Sequence, residues 1–173
     1  MGADNFGQLD FLSKLVKPDY TIITNIGESH IEFFGSRAGI AKAKFEITNG
    51  MKKDGFFIYN GDEPLLKELV ENSSINATSC GENSYNDIIL ENYTITRDKI
   101  DFKLNIDKNS FSTTLKGKHN LFNIMFAVAI AKKIGLANEE IRHAIDNISK
   151  ITNMRLESIP YGDESLIIND AYN

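Results

Sequence analysis

The segment Thr24–His30 places an amide, a carboxylate and an imidazole directly after a short apolar run, Tyr20–Thr24. Such a run predicts a buried strand, and ligands in open parallel sheets lie beyond the carboxyl ends of the strands. His30 and Glu28 could therefore hold a metal, and Asn25 could orient a ligand or a water molecule. A polar surface loop with an exposed histidine explains the same residues, so the segment alone leaves both interpretations open.

Lys44 is the second candidate, because it falls on the apolar face of a helix predicted over residues 37–49, whereas Lys42 points roughly the opposite way. The face consists of Ile40, Ala43, Lys44 and Ile47. Burial lowers the pKa of a lysine, and its neutral amine can react with carbon dioxide to form a carbamate, whose oxygens suit magnesium. A lysine at the edge of the face, with its ammonium group in water, fits the pattern as well.

Three further places carry groups suited to a nucleotide. Asn120 and Asn123 open a long apolar helix, and an Asn123 amide could pair with a base edge because it has both donor and acceptor groups. The guanidinium of Arg155 could neutralise phosphate, and Asp170, which follows an apolar strand, could bond a ribose hydroxyl. Helix capping by Asn120 or Asp170 and a plain surface charge at Arg155 are the alternatives.

These side chains need a scaffold, and the hydrophobic pattern predicts an α/β fold. Up to about residue 80, strands alternate with helices, which indicates a parallel sheet flanked by helices. The predicted strands are 20–24, 55–60 and 75–80, and the predicted helices are 6–16, 37–49 and one that begins near Pro64. Residues 87–115 then read as an antiparallel β-meander. Helices over 120–134 and 138–149 and a strand over 165–169 complete the prediction.

Composition excludes several classes of protein. The 173 residues suffice for one domain, and 19 basic against 24 acidic residues give a net charge of −5. This balance predicts no nucleic-acid partner, and the absence of a long apolar run predicts no membrane insertion. A lone cysteine, Cys80, indicates a reducing compartment, so a cytoplasmic location is expected. The sequence contains no G-x-x-x-x-G-K-[ST] phosphate loop.

Seven segments, taken in order, resemble the Mur ligase family over almost the whole chain. They are MGADNFGQLDFL, ITNIGESHIEFFGS, GIAKAKFEI, YNGDEP, KGKHNLFNIMFAVAIAKKIG, NMRLE and IINDAYN. Each is weak alone, and their order makes the resemblance specific. IGESHIEFFGS and INDAYN are most similar to the members that add D-alanyl-D-alanine to a UDP-N-acetylmuramoyl-tripeptide.

The resemblance implies ATP and Mg²⁺ as cofactors and a catalytic set of His30, Lys44 and Arg155. His30 matches a magnesium-binding histidine of the family. Lys44, rather than Lys42, matches the lysine that many members carbamylate to bind a second magnesium ion. Arg155 matches an arginine near the γ-phosphate.

The same resemblance implies that the nucleotide is bound by four more residues. Asn25 matches a polar position beside the phosphates. Asn120 and Asn123 match asparagines near the adenine, and Asp170 matches an acidic residue near the ribose. The implied reaction phosphorylates the tripeptide carboxylate with ATP, and the amine of D-alanyl-D-alanine then attacks the acyl phosphate.

Residues 1–173 thus resemble part of the family's central ATP-binding domain, without its N-terminal UDP-binding domain, its phosphate loop or its C-terminal domain. We expect the isolated chain to be incompetent for ligation and to expose a sheet edge through which it could self-associate. The competing hypotheses are a non-catalytic nucleotide-binding or structural fragment, and a different ligase of the same type: a sister Mur ligase, a folylpolyglutamate synthetase or a cyanophycin synthetase.

Overall fold

The computed structural model describes residues 1–148, 157–162, 165–169 and residue 171. A curled sheet runs through it in the strand order β1-β2-β3-β4-β5-β6. Its strands are β1 (Tyr20–Ile23), β2 (Phe56–Asn60), β3 (Ala77–Gly81), β4 (Ile88–Ile95), β5 (Ile100–Leu104) and β6 (Phe111–Thr113). The pairs from β1 to β4 are parallel and those from β4 to β6 are antiparallel, which confirms the predicted α/β fold with an antiparallel meander.

Helices cover both faces of this sheet. They are α1 (Gln8–Val16), α2 (Ile31–Phe34), α3 (Arg37–Phe45), α4 (Pro64–Glu71), α5 (Lys118–Lys133) and α6 (Asn138–Asp146). A separate hairpin pairs β7 (Glu157–Tyr161) with β8 (Ser165–Asn169). None of the helices in the described ranges is long and apolar enough to cross a bilayer.

Alternation along β2 explains why the sheet needs helices on both sides. Phe56 and Ile58 join a core with α5 and α6, whereas Phe57 and Tyr59 join a second core with α3 and α4. All four are buried, because successive side chains of a strand point to opposite faces. A strand that is apolar on both faces is typical of a parallel sheet. Polar residues of β1 and β2 are therefore confined largely to the strand ends.

The helix predicted over residues 37–49 is interrupted. Ser36 caps α3 as expected, since its hydroxyl accepts a hydrogen bond from the Gly39 N–H at 3.0 Å. The α-helix ends at Phe45, and a 3-10 turn continues it over Glu46–Thr48. Gly50, just after the predicted helix, is a point of close approach, because a Cβ there would lie 2.0 Å from the carbonyl carbon of Ser13.

Other predicted boundaries shift by a few residues. The first helix begins at Gln8 rather than Phe6, because Gly7 takes a left-handed conformation with φ of 82°. The long helix begins at Lys118 and not at Asn120, and its successor ends at Asp146. Helix α2 and strand β7 were not predicted. The short α2 escapes a pattern search because four residues show no full helical period.

Candidate functional site

Two neighbouring hollows open at the carboxyl end of β1, and Thr24 and Asn25 line both. The first, which we name the asparagine hollow, measures about 410 Å³ and lies against α5. Its other lining residues are Asn60, Lys118, His119, Phe122, Asn123 and Phe126. The second, the lysine hollow, measures about 170 Å³ and lies between β1, α1 and the helix that carries Lys44.

The asparagine hollow joins two of the predicted nucleotide-binding residues. Asn25 lies two residues beyond the end of β1, and Asn123 lies one turn into α5. Both side chains are exposed. The Asn123 amide donates one hydrogen bond to the Asn120 side-chain oxygen at 3.2 Å. Since an asparagine amide has two N–H donors and an acceptor oxygen, a donor and an acceptor remain for a ligand.

Asn120 has a supporting position. The alternative that it caps the helix is wrong, because Gly117 occupies the cap position and Asn120 is the third residue of α5. Its amide donates to the Lys116 carbonyl at 2.7 Å, while its oxygen receives the bond from Asn123. Asn120 is not among the residues that line the asparagine hollow. Asn120 thus holds the Asn123 side chain through this hydrogen bond without lining the hollow itself.

Asn60, which the sequence reasoning did not assign to the site, also lines the asparagine hollow. It is the last residue of β2, whose register with β1 pairs Ile23 with Tyr59. The next step of that register brings Asn60 level with Thr24. Its position after an apolar strand was the signal, since adjacent parallel strands present their carboxyl ends at one edge.

An ion pair lies at the rim of the asparagine hollow, and one of its partners belongs to a loop that hydrogen bonds hold in place. Lys118 lies 2.8 Å from Glu82, and its hydrogen bond to that carboxylate raises the pKa of Lys118. Glu82 belongs to the connection between β3 and β4, and Asp62 holds that connection. The Asp62 carboxylate accepts from the Glu82 N–H at 2.6 Å and from the amides of Asn83 and Asn86 at 2.7 and 2.8 Å.

Lys44 occupies the position that helical spacing predicts. It is half-buried and lines the lysine hollow together with Asn25, whereas Lys42 is exposed. Ile40, Ala41 and Ala43 around it are about 1% exposed, so the amine emerges from a tightly packed helix face. Lys44 and Asn25 are therefore brought together, as expected if both serve one site.

His30 belongs to the segment that follows β1. It is exposed, holds a left-handed backbone with φ of 62°, and precedes α2. Its ring centroid lies 6.2 Å from that of Phe33. His30 is not among the residues that line the lysine hollow. Within the described ranges, no group of three or more His, Cys, Asp or Glu residues could hold a metal ion.

Two predicted residues, Arg155 and Asp170, lie outside the described residues, and their roles stay predictions.

Comparison with known proteins places these features in a family context. The family pattern described as the Mur ligase middle domain matches residues 1–131. The UDP-N-acetylmuramoyl-tripeptide–D-alanyl-D-alanine ligase of Bacillus subtilis is 43% identical over 178 residues, covering 100% of this chain and 37% of that protein. The chain thus spans less than two fifths of the length of this relative.

Solved structures agree with this match. A crystal structure of MurF from Acinetobacter baumannii superposes with a TM-score of 0.89 at 30% identity, covering 100% of this chain and 38% of that one. MurF ligase from Thermotoga maritima in complex with ADP gives a TM-score of 0.84 at 23% identity, covering 100% and 40%. At that identity the second likeness shows the fold alone.

The Asp62 brace yields a prediction for pH and stability. Burial alone would raise the pKa of Asp62, but hydrogen bonds from Glu82, Asn86 and Asn83 outweigh it and lower the pKa. A lowered folded pKa stabilises the fold above the unfolded value of about 3.9, and this contribution disappears as pH falls through the folded value. We expect Asp62→Asn to cost about 1–3 kcal/mol at neutral pH, with a smaller difference below about pH 4.

Urea unfolding over a pH series measures this difference. Asp98→Asn, in the exposed turn between β4 and β5, is the matched control and should stay within about 0.5 kcal/mol of the unaltered chain. An equal, pH-independent effect of both substitutions would contradict the proposed brace.

Proposed function

The chain belongs to the Mur ligase family, and from this membership we propose that it is the nucleotide-binding part of an ATP-dependent ligase. The ligase joins D-alanyl-D-alanine to a UDP-N-acetylmuramoyl-tripeptide. The choice of substrates is supported by the 43% identity to the Bacillus subtilis ligase of that name. The observation that carries the nucleotide-binding role is the asparagine hollow, where Asn25 and Asn123 converge from different elements.

The asparagine hollow suits a base and sugar. Its volume of about 410 Å³ falls in the range of small-molecule sites, and it combines the aromatic rings of Phe122 and Phe126 with polar amides. A purine needs an apolar surface beneath its ring and paired donors and acceptors at its edge, which an asparagine provides. The related Thermotoga maritima MurF ligase was crystallised with ADP, which supports the same ligand class here.

The reaction follows from the family. ATP transfers its γ-phosphoryl group to the tripeptide carboxylate and leaves as ADP. The amine of D-alanyl-D-alanine attacks the acyl carbon, and inorganic phosphate departs as the amide forms. We propose that Asn25 and Asn123 hold the nucleotide, with Arg155 near the γ-phosphate and Asp170 near the ribose. A cytoplasmic location is proposed as well, in line with the ATP requirement and the unpaired Cys80.

Lys44 is proposed to carry a carbamate. The lysine hollow of about 170 Å³ leaves space beyond the amine, and the Asn25 amide on its wall could donate a hydrogen bond to a carbamate oxygen. Such an anion would ligate magnesium, and the magnesium ion would offset the negative charge of the ATP phosphates. In the described part of the chain, no cluster of three or more His, Cys, Asp or Glu side chains supplies a metal site. Magnesium binding by His30 and Lys44 therefore rests on the resemblance.

Binding of ADP to the chain tests the nucleotide site. Nuclear magnetic resonance suits a protein of 19.4 kDa, and the side-chain amide signals of Asn25 and Asn123 should shift as ADP and magnesium are added. Replacing either residue by alanine removes a hydrogen bond and should weaken binding about three- to tenfold.

Asn147→Ala is the matched control, since Asn147 is exposed at the end of α6 and does not line the asparagine hollow. This substitution should leave the affinity unchanged. If ADP shifts no signals at the carboxyl end of β1, or if all three substitutions act equally, the proposed nucleotide site is rejected.

The carbamate has its own test, which does not require activity. Isotope-labelled bicarbonate should give a carbamate carbonyl signal from the unaltered chain and from Lys42→Ala, but none from Lys44→Ala. The reason is that Lys44 is half-buried beside Asn25 whereas Lys42 is exposed. In a complete ligase carrying these residues, Lys44→Ala should abolish most activity and Lys42→Ala should be mild. Equal behaviour of the two lysines would contradict the assignment.

We also propose that the sheet edge can bring two copies of the chain together. In the described part of the chain, β1 forms one edge of the sheet with β2 as its neighbour, and its first residue, Tyr20, is 37% exposed. Sedimentation should then show a dimer that grows with concentration, and Tyr20→Lys should favour the monomer because charged edges resist pairing. A lysine at exposed Phe33 on α2 is the control, and equal effects would argue against pairing through β1.

A further inference from the structure

We propose that Arg37 is a positioning residue that fixes the loop carrying Asn25, an inference that rests on the proposed nucleotide site. Its guanidinium donates to the Ile26 carbonyl at 3.1 Å and to the Glu63 carboxylate at 2.7 Å. One side chain thus links three separate parts of the chain: the segment after β1, the start of α3 and the start of α4.

The carboxylate that anchors Arg37 is itself held. Glu63 caps α4, where one of its oxygens accepts from the Leu65 N–H at 3.3 Å while the other receives Arg37. The Glu63 side chain is 11% exposed and the Arg37 side chain is 45% exposed, so the carboxylate is shielded while the guanidinium is partly in water. A guanidinium suits the junction because its planar fork presents several donors in fixed directions.

The location of Arg37 argues for a role beyond helix stability. It is the first residue of α3, and a positive charge in the first turn is unfavourable to the helix dipole. Glu63 offsets this charge, and the same Nη2 group that donates to Glu63 also donates to backbone outside the helix. The gain is the fixed carbonyl of Ile26 rather than a more stable α3.

Asn25 benefits because it immediately precedes the residue that is held. Ile26 is 5% exposed, so its side chain is fixed in the core while its carbonyl is fixed by Arg37. The following residues, from Gly27 to His30, are all exposed. Asn25 therefore lies between β1 and the anchored residue Ile26, and it lines both hollows.

Hydrogen exchange and ADP binding together test this inference. In Arg37→Ala and Glu63→Gln we expect the peptide spanning residues 24–31 to exchange faster and ADP to bind about three- to tenfold more weakly. Glu63→Gln retains an oxygen that can cap α4, so it removes the charge while sparing the helix. Arg37→Lys should restore part of both properties, because a lysine can reach one of the two acceptors.

The matched control is Lys52→Ala, which removes an ion pair of 2.8 Å with Asp19 at the opposite, amino end of β1. It should leave both the exchange of residues 24–31 and the ADP affinity unaltered. Thermal melting of each variant identifies any that fails to fold, and Glu63→Gln then decides the outcome in place of Arg37→Ala.

The possible results separate the two proposals. Faster exchange with weaker ADP binding supports the inference, whereas unchanged exchange, or faster exchange with unchanged affinity, overturns it. If the unaltered chain binds no ADP, the proposed nucleotide site fails first, and the positioning role of Arg37 falls with it.

Discussion

The parallel pairing of β1 with β2 is the constraint on which the site depends. The two strands are in register from Tyr20 opposite Phe56 to Ile23 opposite Tyr59, and helices cover the sheet on both faces. Apolar residues must fill these strands, so polar groups are concentrated where the strands end. Asn25 and Asn60 therefore arise at the same edge, and the hollow between that edge and α5 is a consequence of the sheet rather than of a special loop.

Asn25 gives this edge a further property, because it stands between two hollows on different sides of β1. Toward α5 its neighbours are amides and aromatic rings, and toward α3 its neighbour is the amine of Lys44. Asn25 therefore belongs to the walls of both hollows, and the proposed nucleotide site and the proposed Lys44 carbamate have this one side chain in common.

The hydrophobic periodicity of the sequence predicted the positions of residues within single helices and strands. It did not predict contacts between elements that are distant in the sequence. Helical spacing separated Lys44 from Lys42, and the strand–loop pattern located Asn25. The cap assigned to Asn120 was wrong, because the backbone of Gly117 starts the helix earlier and the amide turns back to Lys116. Asn60 and Arg37 were not predicted to act, since their importance comes from β-sheet register and from a contact 26 residues away along the chain.

Charge balance limits which part of a nucleotide the asparagine hollow can recognise. Lys118 at its rim is paired with Glu82. Arg37, which lies on the same helix as Lys44, is paired with Glu63. Cations that are already neutralised contribute little attraction for phosphates, whereas the amide of Asn123 can discriminate a base by hydrogen-bond geometry. The asparagine hollow is therefore suited to reading the neutral base. We propose that the phosphates extend toward the lysine hollow, where magnesium held by the proposed Lys44 carbamate would offset their charge beside the shared residue Asn25.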